Sequence, residues 1–317
     1  MGNSHDNPQA SARWAVLLLA HGAPDRPEDV PEFLLNVRSG RKLPDPIVQE
    51  ITRRYEMIGG GSPLLEVTRL QAEGLEQSLG HPVYFGMRNW KPYIADTVRR
   101  MVNDGIERIL AICLAPQNSR TSIGLYKKHL FDALEKHAPQ VHADFIESWH
   151  DHPLLIQAFL EKAVIARAQI EAETREALPI VFTAHSVPVK TIEDGDPYGG
   201  QVRETARLVA EAMDLAEYRL AFQSQGMTAE PWIGPTVESQ IDELAVQGCR
   251  HVLLIPIGFV SDHVEILYDI DILFREYGKQ RGVTVRRSES LNDSLLFIKA
   301  LTEIVSVRVL ESANRNG

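Results

Sequence analysis

The sequence predicts an α/β protein made of two similar, Rossmann-like domains, each with a parallel sheet, facing each other across a cleft. Two observations carry that expectation. Short apolar runs of strand length alternate with longer helical patterns along the whole chain, the order that produces a parallel sheet covered by helices. A set of motifs also occurs twice, in the same order, as a duplicated unit would leave it. The length of 317 residues suits two domains of roughly 150 residues each. The halves are expected at 13–152 and 153–317, with the terminal helix packing back on the first.

In the first half, the run Val16-Leu-Leu-Leu-Ala20 predicts a strand over 16–20, followed by helices over 30–38, 46–58 and 64–79. A strand over 83–86 leads to a helix over 91–104, a strand over 109–114 to a helix over 124–136, and a strand over 144–148 closes the half. The second half opens on a long helix over 153–177. It continues with a strand over 180–184, a helix over 199–213, a strand over 219–222 and a helix over 236–247. Then come the apolar strand 251–257, a helix over 263–277, a strand over 284–287 and a last helix over 294–312. The strands read as continuous apolar runs, which burial on both faces requires.

The repeat is specific. Ala20-His21-Gly22-Ala23-Pro24 follows the first strand, and Ala184-His185-Ser186-Val187-Pro188 follows the fifth. Further on, Gly105-Ile-Glu-Arg-Ile-Leu-Ala-Ile-Cys-Leu-Ala-Pro leads to Tyr126 much as Gly248-Cys-Arg-His-Val-Leu-Leu-Ile-Pro-Ile-Gly-Phe leads to Tyr268. Trp90-Lys-Pro92 and Trp232-Ile-Gly-Pro235 form a third pair. Ligands of open α/β sheets bind beyond the carboxyl ends of the strands. Both histidines sit at such ends, and so does the turn Phe259-Val-Ser-Asp-His-Val-Glu265.

Composition narrows the function. The net charge is −10, which disfavours general binding of nucleic acid. Two cysteines, Cys113 and Cys249, exclude a disulfide scaffold, a four-cysteine zinc site and an all-cysteine iron–sulfur cluster. The apolar runs are far shorter than the ~20 residues of a spanning helix. Residues 1–12 are polar, and Asp6 stands where a myristoylation motif wants Ser or Thr, so they read as a loose tail. A cytoplasmic protein is expected.

Histidine exchanges protons near neutrality, with a reference pKa of ~6.5, and its neutral ring is a good ligand for ferrous iron. His185 therefore reads either as a reactive group or as a structural histidine in a turn. Asp262-x-x-Glu265 reads as a capping box, with Glu265 turned back to the Asp262 N–H; the alternative is a carboxylate pointing into the cleft for proton removal and metal handling. Tyr268 and Asp269 would share its helix face, and His263 would point elsewhere. His21 holds the matching place in the first half. Arg38, Arg41, Lys42, Arg53 and Arg54 form a basic group beside Gly59-Gly60-Gly61-Ser62-Pro63, either a solvated surface or a carboxylate-binding set. No phosphate-binding loop or dinucleotide fingerprint is present.

These motifs resemble the ferrochelatases, which insert ferrous iron into a porphyrin. The resemblance runs from about Ala15 to about Val305. It is carried by Arg54-Tyr-Glu-Met-Ile-Gly-Gly-Gly-Ser-Pro-Leu64, Thr183-Ala-His-Ser-Val-Pro188, Gly195-Asp-Pro-Tyr198, Phe222-Gln-Ser-Gln-Gly226, Pro231-Trp-Ile-Gly-Pro235 and Gly258-Phe-Val-Ser-Asp-His-Val-Glu-Ile-Leu-Tyr-Asp269. The chain is similar to the compact bacterial subgroup acting on coproporphyrin III, with protoporphyrin IX as the second choice. The resemblance implies a chelatase-like fold and His185 and Glu265 as the catalytic, metal-handling pair on one face of the macrocycle. Arg38, Arg54, Tyr55, Ser62 and Tyr126 would hold the porphyrin and its propionates, and His21, on the opposite face, would ligate the product iron. Fe2+ would be the substrate, with no organic cofactor and no iron–sulfur cluster. Haem is the expected product, and a monomer the expected state. Three departures stand out: His21 where the subgroup usually has Tyr, Asn89 where some relatives carry His, and Leu273 where an outer metal site has an acidic residue. The competing readings are a cobalt chelatase of a reduced tetrapyrrole and a haem- or porphyrin-binding carrier without turnover.

Overall fold

The computed structural model describes residues 13–175, 178–226 and 230–315. The tail at 1–12, with its myristoylation question, lies outside them, as do the last two residues of the helix predicted over 153–177. Two four-stranded parallel sheets carry helices on their faces, an α/β architecture. The first unit runs β1 (Trp14–Ala20), α1 (Val30–Val37), α2 (Asp45–Met57), α3 (Leu64–Leu79), β2 (Val83–Met87), α4 (Ile94–Asn103), β3 (Arg108–Cys113), α5 (Ile123–His137) and β4 (His142–Ile146). After α6 (Pro153–Thr174), the second unit runs β5 (Ile180–His185), α7 (Val189–Glu193), α8 (Tyr198–Ala212), β6 (Arg219–Gln223), α9 (Val237–Val246), β7 (His251–Pro256), α10 (Val264–Leu267), a π-helical turn (Asp269–Phe274), α11 (Arg275–Gln280) and β8 (Thr284–Arg287). The chain ends on α12 (Leu295–Arg315).

The strand orders are β2-β1-β3-β4 and β6-β5-β7-β8, the same topology twice. The matched motifs do the same work in each. The Met87 N–H donates to the Pro92 carbonyl at 2.7 Å, and the Phe222 N–H to that of Pro235 at 2.8 Å. In both sheets the chain leaves the first strand to one side and returns to its other side. β1 and β5 therefore flank the topological switch points, where open α/β sheets bind ligands. Their C-terminal ends deliver His21 and His185.

The central strands are buried on both faces, from Ala15 to Ala20 in β1 and from Val252 to Pro256 in β7, which is why they appear in the sequence as unbroken apolar runs. On α4, Ile94, Thr97, Val98 and Met101 are buried, the stripe of an amphipathic helix against a sheet. One apolar core runs through both units. It joins Val16, Leu18 and Leu75 to Phe182 and Leu253 through Trp149, Phe159, Phe297 and Leu301. α12 also bonds across to the first unit, Thr302 Oγ1 to Ser78 Oγ at 2.9 Å and Arg308 to both oxygens of Asp144 at 2.8 and 2.9 Å.

Polar ties cross between the units beside the switch points. Gln71 Nε2 donates to Ser261 Oγ at 2.9 Å and to the Asn292 carbonyl at 2.8 Å. Gln117 Nε2 donates to Thr205 Oγ1 at 3.1 Å and to the Ile257 carbonyl at 3.2 Å. The buried Asp196 carboxylate accepts from the Arg120 N–H at 2.7 Å, from Ser119 Oγ at 3.2 Å and from the Tyr198 N–H at 3.0 Å. The strand ends of the two sheets are thereby fixed relative to each other. No helix among the described residues is long and apolar enough to cross a membrane.

The structure departs from the expected elements in two instructive places. The helix expected over 263–277 is three pieces: four residues of α10, the π turn and α11. The short helix α7 was not expected; it follows Pro188, whose neighbours are pinned by bonds from Val189 N–H to Pro231 and from Ile233 N–H to Val187.

Candidate active site

His185 is the last residue of β5, and its backbone carbonyl accepts the Tyr198 hydroxyl at 2.8 Å. Its Nε2 lies 3.7 Å from Glu265 Oε2, with the two side chains 36% and 33% exposed. A buried pair sealed inside one core would show neither. Gly258 lets the chain beyond β7 pack against the end of β5, since a Cβ there would stand 2.7 Å from Ala184 Cβ, far inside van der Waals contact.

The capping-box reading of Asp262 and Glu265 is corrected. The N-cap of α10 is His263, with no side-chain capping bond. Asp262 spends its carboxylate elsewhere, on Ser290 Oγ at 2.8 Å, Asn292 Nδ2 at 2.9 Å and Arg287 at 3.1 Å. Glu265 is free to face His185, while its backbone carbonyl is held by Gln223 Nε2 at 2.7 Å.

His263 is the residue sequence reasoning misplaced. Its backbone is extended, with φ −160°, so the side-chain direction expected of a helix does not apply. Its Nε2 also stands 3.7 Å from Glu265 Oε2. The Phe259 ring packs against both imidazoles, 6.4 Å from His185 and 4.9 Å from His263 between centroids. The signal in the sequence was only the spacing of His263 and Glu265 in the Ser-Asp-His-x-Glu turn.

His21, just beyond β1, shares this neighbourhood, and its charge is coupled to those of Glu265 and His263. All three imidazoles are fixed alike. Nδ1 meets a nearby carbonyl: Gly22 at 2.9 Å for His21, Ser261 at 3.1 Å for His263, and Ser186 in a short contact for His185. A carbonyl only accepts, so Nδ1 carries the proton, and in a neutral ring Nε2 keeps its lone pair. At His185 and His263 that nitrogen faces Glu265. At His21 it meets the Asn89 amide, with Nδ2 at 3.0 Å, so any metal bond there must displace Asn89.

The electrostatics centre on Glu265. Burial would raise its carboxyl, but His185, His263 and His21 in their protonated forms outweigh burial and hold it down to about 2. It stays ionised across the neutral range. The surrounding protein mass, with Arg88 added, lowers His21 to about 4, which keeps that ring neutral. Its surface is exposed, as suits a group in the wall of an open cleft. Asp269, buried in the π turn, is raised to about 6 by burial and by the charge of Glu265, against Ser224 Oγ at 2.5 Å and Arg54, which favour its ionised form.

That raised value sets a pH dependence. An acid whose folded pKa is raised contributes stability that is present below its ordinary 3.8 and lost as pH rises through about 6. The contribution is on the order of 3 kcal/mol. Asp269→Asn keeps the Ser224 bond without the titration. Urea unfolding should therefore show the variant gaining on the wild type by up to that amount between pH 4 and pH 7. A difference that does not change with pH would contradict this.

Of the basic and aromatic set, Arg54 and Tyr55 reach the site. The Arg54 guanidinium lies 5.0 Å above the Tyr268 ring and pairs with Glu50 at 3.3 Å. Tyr55 is buried with Phe33 and Trp90 in a cluster against which Val264 packs, so α1 and α2 touch the segment that carries Glu265. Burial and the charge of Glu265 raise the Tyr55 phenol. Ser62 is buried, and its N–H donates to the Pro24 carbonyl at 3.1 Å, which ties the glycine-rich turn to the segment after His21. Tyr126 is buried beneath the Arg88 guanidinium, 5.0 Å from its ring. Arg38, Arg41, Lys42 and Arg53 are exposed; Arg38 caps the end of α1, where its carbonyl accepts from Arg41 Nε at 3.3 Å. A groove of about 700 Å³ lies elsewhere, between α5 and α12, where Lys127 pairs with Glu147 and Arg308 with Asp144.

Three imidazole nitrogens and one ionised carboxylate, set at the ends of parallel strands, suit a reaction that takes protons from a ligand and hands it a divalent metal ion. Comparisons with known proteins agree with that chemistry. A family model described as Ferrochelatase matches residues 13–309. A ferrochelatase of Acidobacterium capsulatum is 47% identical over 92% of this chain and 93% of its own length. A coproporphyrin III ferrochelatase of a Geobacillus species is 36% identical over 95% of this chain and 99% of its own. Among solved structures, SirB from Bacillus subtilis with Fe3+ superposes with a TM-score of 0.59 at 12% identity, covering 93% of this chain and 94% of that one, a likeness of fold.

Proposed function

This chain belongs to the ferrochelatase family, and from that premise we propose that it inserts Fe2+ into coproporphyrin III in haem biosynthesis, with His185 and Glu265 as the reacting pair. The observation that carries the assignment of roles is the 3.7 Å approach of His185 Nε2, at the end of β5, to Glu265 Oε2, on α10, both partly open to solvent. Enzymes of this kind are metal chelatases of the lyase class. The porphyrin loses two N–H protons and gains one iron, so the exchange needs no organic cofactor. No cluster is expected either, since two cysteines, one of them buried, are too few for an all-cysteine one.

The chemistry follows from the groups. A planar porphyrin hides its central lone pairs, and its N–H protons obstruct the metal. Binding energy at the ring's carboxylates can hold the macrocycle bent; Arg38, Arg54 and Ser62 are our candidates for that grip, with Tyr55 and Tyr126 behind them. His185, neutral at Nε2, accepts a pyrrole proton. Glu265, whose carboxyl is held down to about 2 and is therefore a carboxylate at neutral pH, accepts or relays the second. The same lone pairs are ligands for the incoming ferrous ion. The protein is proposed to act as a monomer in the cytoplasm.

Coproporphyrin III is favoured because the Geobacillus relative carries that substrate in its name, and because Arg54 and Arg88 stand near a site that must hold a polycarboxylate. Anaerobic turnover of purified protein with Fe2+ or Co2+ tests it against coproporphyrin III, protoporphyrin IX and a reduced tetrapyrrole. The largest kcat/KM is expected for Fe2+ with coproporphyrin III. Preference for protoporphyrin IX would overturn the substrate assignment, and turnover only with the reduced tetrapyrrole would overturn the assignment as a whole.

We further propose that His21 ligates iron in the product, after Asn89 yields its Nε2. The absorption spectrum of the haem-bound protein should then change in His21→Ala. An unchanged spectrum removes the idea.

A further inference from the structure

The segment that presents the reacting groups has little order of its own. α10 is four residues long and lacks a side-chain cap, and a π turn follows at once. A single helical turn is not self-supporting, and π turns are rare strained forms often found at functional sites. Something outside the segment must fix it.

Arg287, the last residue of β8, lies behind it. Its Nε is 3.1 Å from both carboxylate oxygens of Asp271, and its Nη2 is 2.9 Å from Asp271 Oδ2. The same Nη2 is 3.1 Å from Asp262 Oδ1, and Nη1 donates to the Ser288 carbonyl at 3.1 Å. The side chains are mostly buried, 12% exposed for Arg287, 21% for Asp262 and 20% for Asp271. Asp262 precedes His263, and Asp271 lies in the π turn beyond Glu265, Tyr268 and Asp269. One guanidinium thus joins both ends of the segment.

We propose that Arg287 is a positioning residue for iron insertion: by clamping Asp262 and Asp271 together it sets the place of His263 and Glu265 opposite His185. This rests on the reading that His185 and Glu265 carry out the reaction. The planar fork is essential, because it engages two carboxylates at fixed angles, which a lysine ammonium at one point does not do. Asn292 completes the brace, its Nδ2 and Oδ1 pairing with the side chain and N–H of Asp262.

The test compares Arg287→Ala, Arg287→Lys and His185→Ala with the wild type, using anaerobic Fe2+ insertion, porphyrin binding by fluorescence quenching, and circular dichroism to count folded protein. Supporting residues behind a metal-handling group typically contribute 10- to 100-fold. A fall of about that size in kcat is expected for Arg287→Ala, with porphyrin affinity unchanged. Part of it should return on adding guanidinium ion, and Arg287→Lys should lie between. Wild-type kcat in folded Arg287→Ala, or a loss confined to KM, overturns the proposal. If the alanine variant does not fold, the lysine variant decides: a lowered kcat supports the clamp, and a wild-type kcat overturns it. His185→Ala separates the two levels. Should it turn over normally, the underlying assignment fails; should it be inactive while Arg287→Ala is not, only the clamp fails.

Discussion

His185→Ala is expected to lower kcat for iron insertion by roughly 10²- to 10⁴-fold, the usual contribution of a positioned proton acceptor, while the porphyrin dissociation constant stays near its wild-type value. The asymmetry follows from where the residue stands. The imidazole is anchored by Nδ1 to the Ser186 carbonyl and through its own backbone carbonyl to Tyr198, and its free nitrogen is directed at Glu265. In our account the grip on the macrocycle lies elsewhere, in the arginines and Ser62 of the first unit. Alanine at 185 removes the proton acceptor and leaves that grip. Steady-state turnover and fluorescence titration of the same preparation measure both quantities. A variant with near-normal kcat would show that His185 is structural.

Glu265→Gln is expected to cost a comparable factor, through a different loss. Glutamine keeps the size of the side chain but can neither carry the charge nor take a proton. In the wild type the carboxyl is held down to about 2, so at neutral pH it is already the carboxylate that accepts or relays a proton or binds Fe2+. If the pair acts as a unit, the double variant His185→Ala with Glu265→Gln should be scarcely worse than either single one, as groups that share one step are strongly non-additive. Multiplicative losses would mean that the two residues serve separate steps. The glutamine variant should also release Asp269, since the Glu265 charge helps raise its pKa.

The fold was legible because its physics is local. Strands such as Trp14–Ala20 and His251–Pro256 are buried on both faces, and only apolar runs survive there. The duplicated His-x-x-Pro turn placed His21 and His185 at equivalent strand ends, and the common strand order gives that match its meaning. The site was less legible where long-range partners decide. Asp262 and Glu265 have the spacing of a capping box, yet Ser290, Asn292 and Arg287, distant in sequence, claim Asp262. His263 was misplaced because helical periodicity cannot describe a residue with extended backbone. The π turn begins at Asp269, so the helical count that sets Tyr268 and Asp269 beside Glu265 does not carry on beyond them. Helical periodicity announces none of these three.

The most direct test is the structure of the protein with metal-free coproporphyrin III bound. The account predicts the ring between the two units, with His185 Nε2 and the Glu265 carboxylate facing its central nitrogens from one side and His21 on the other. A macrocycle seated in the groove between α5 and α12, or one whose nitrogens lie beyond reach of residues 185 and 265, would contradict it.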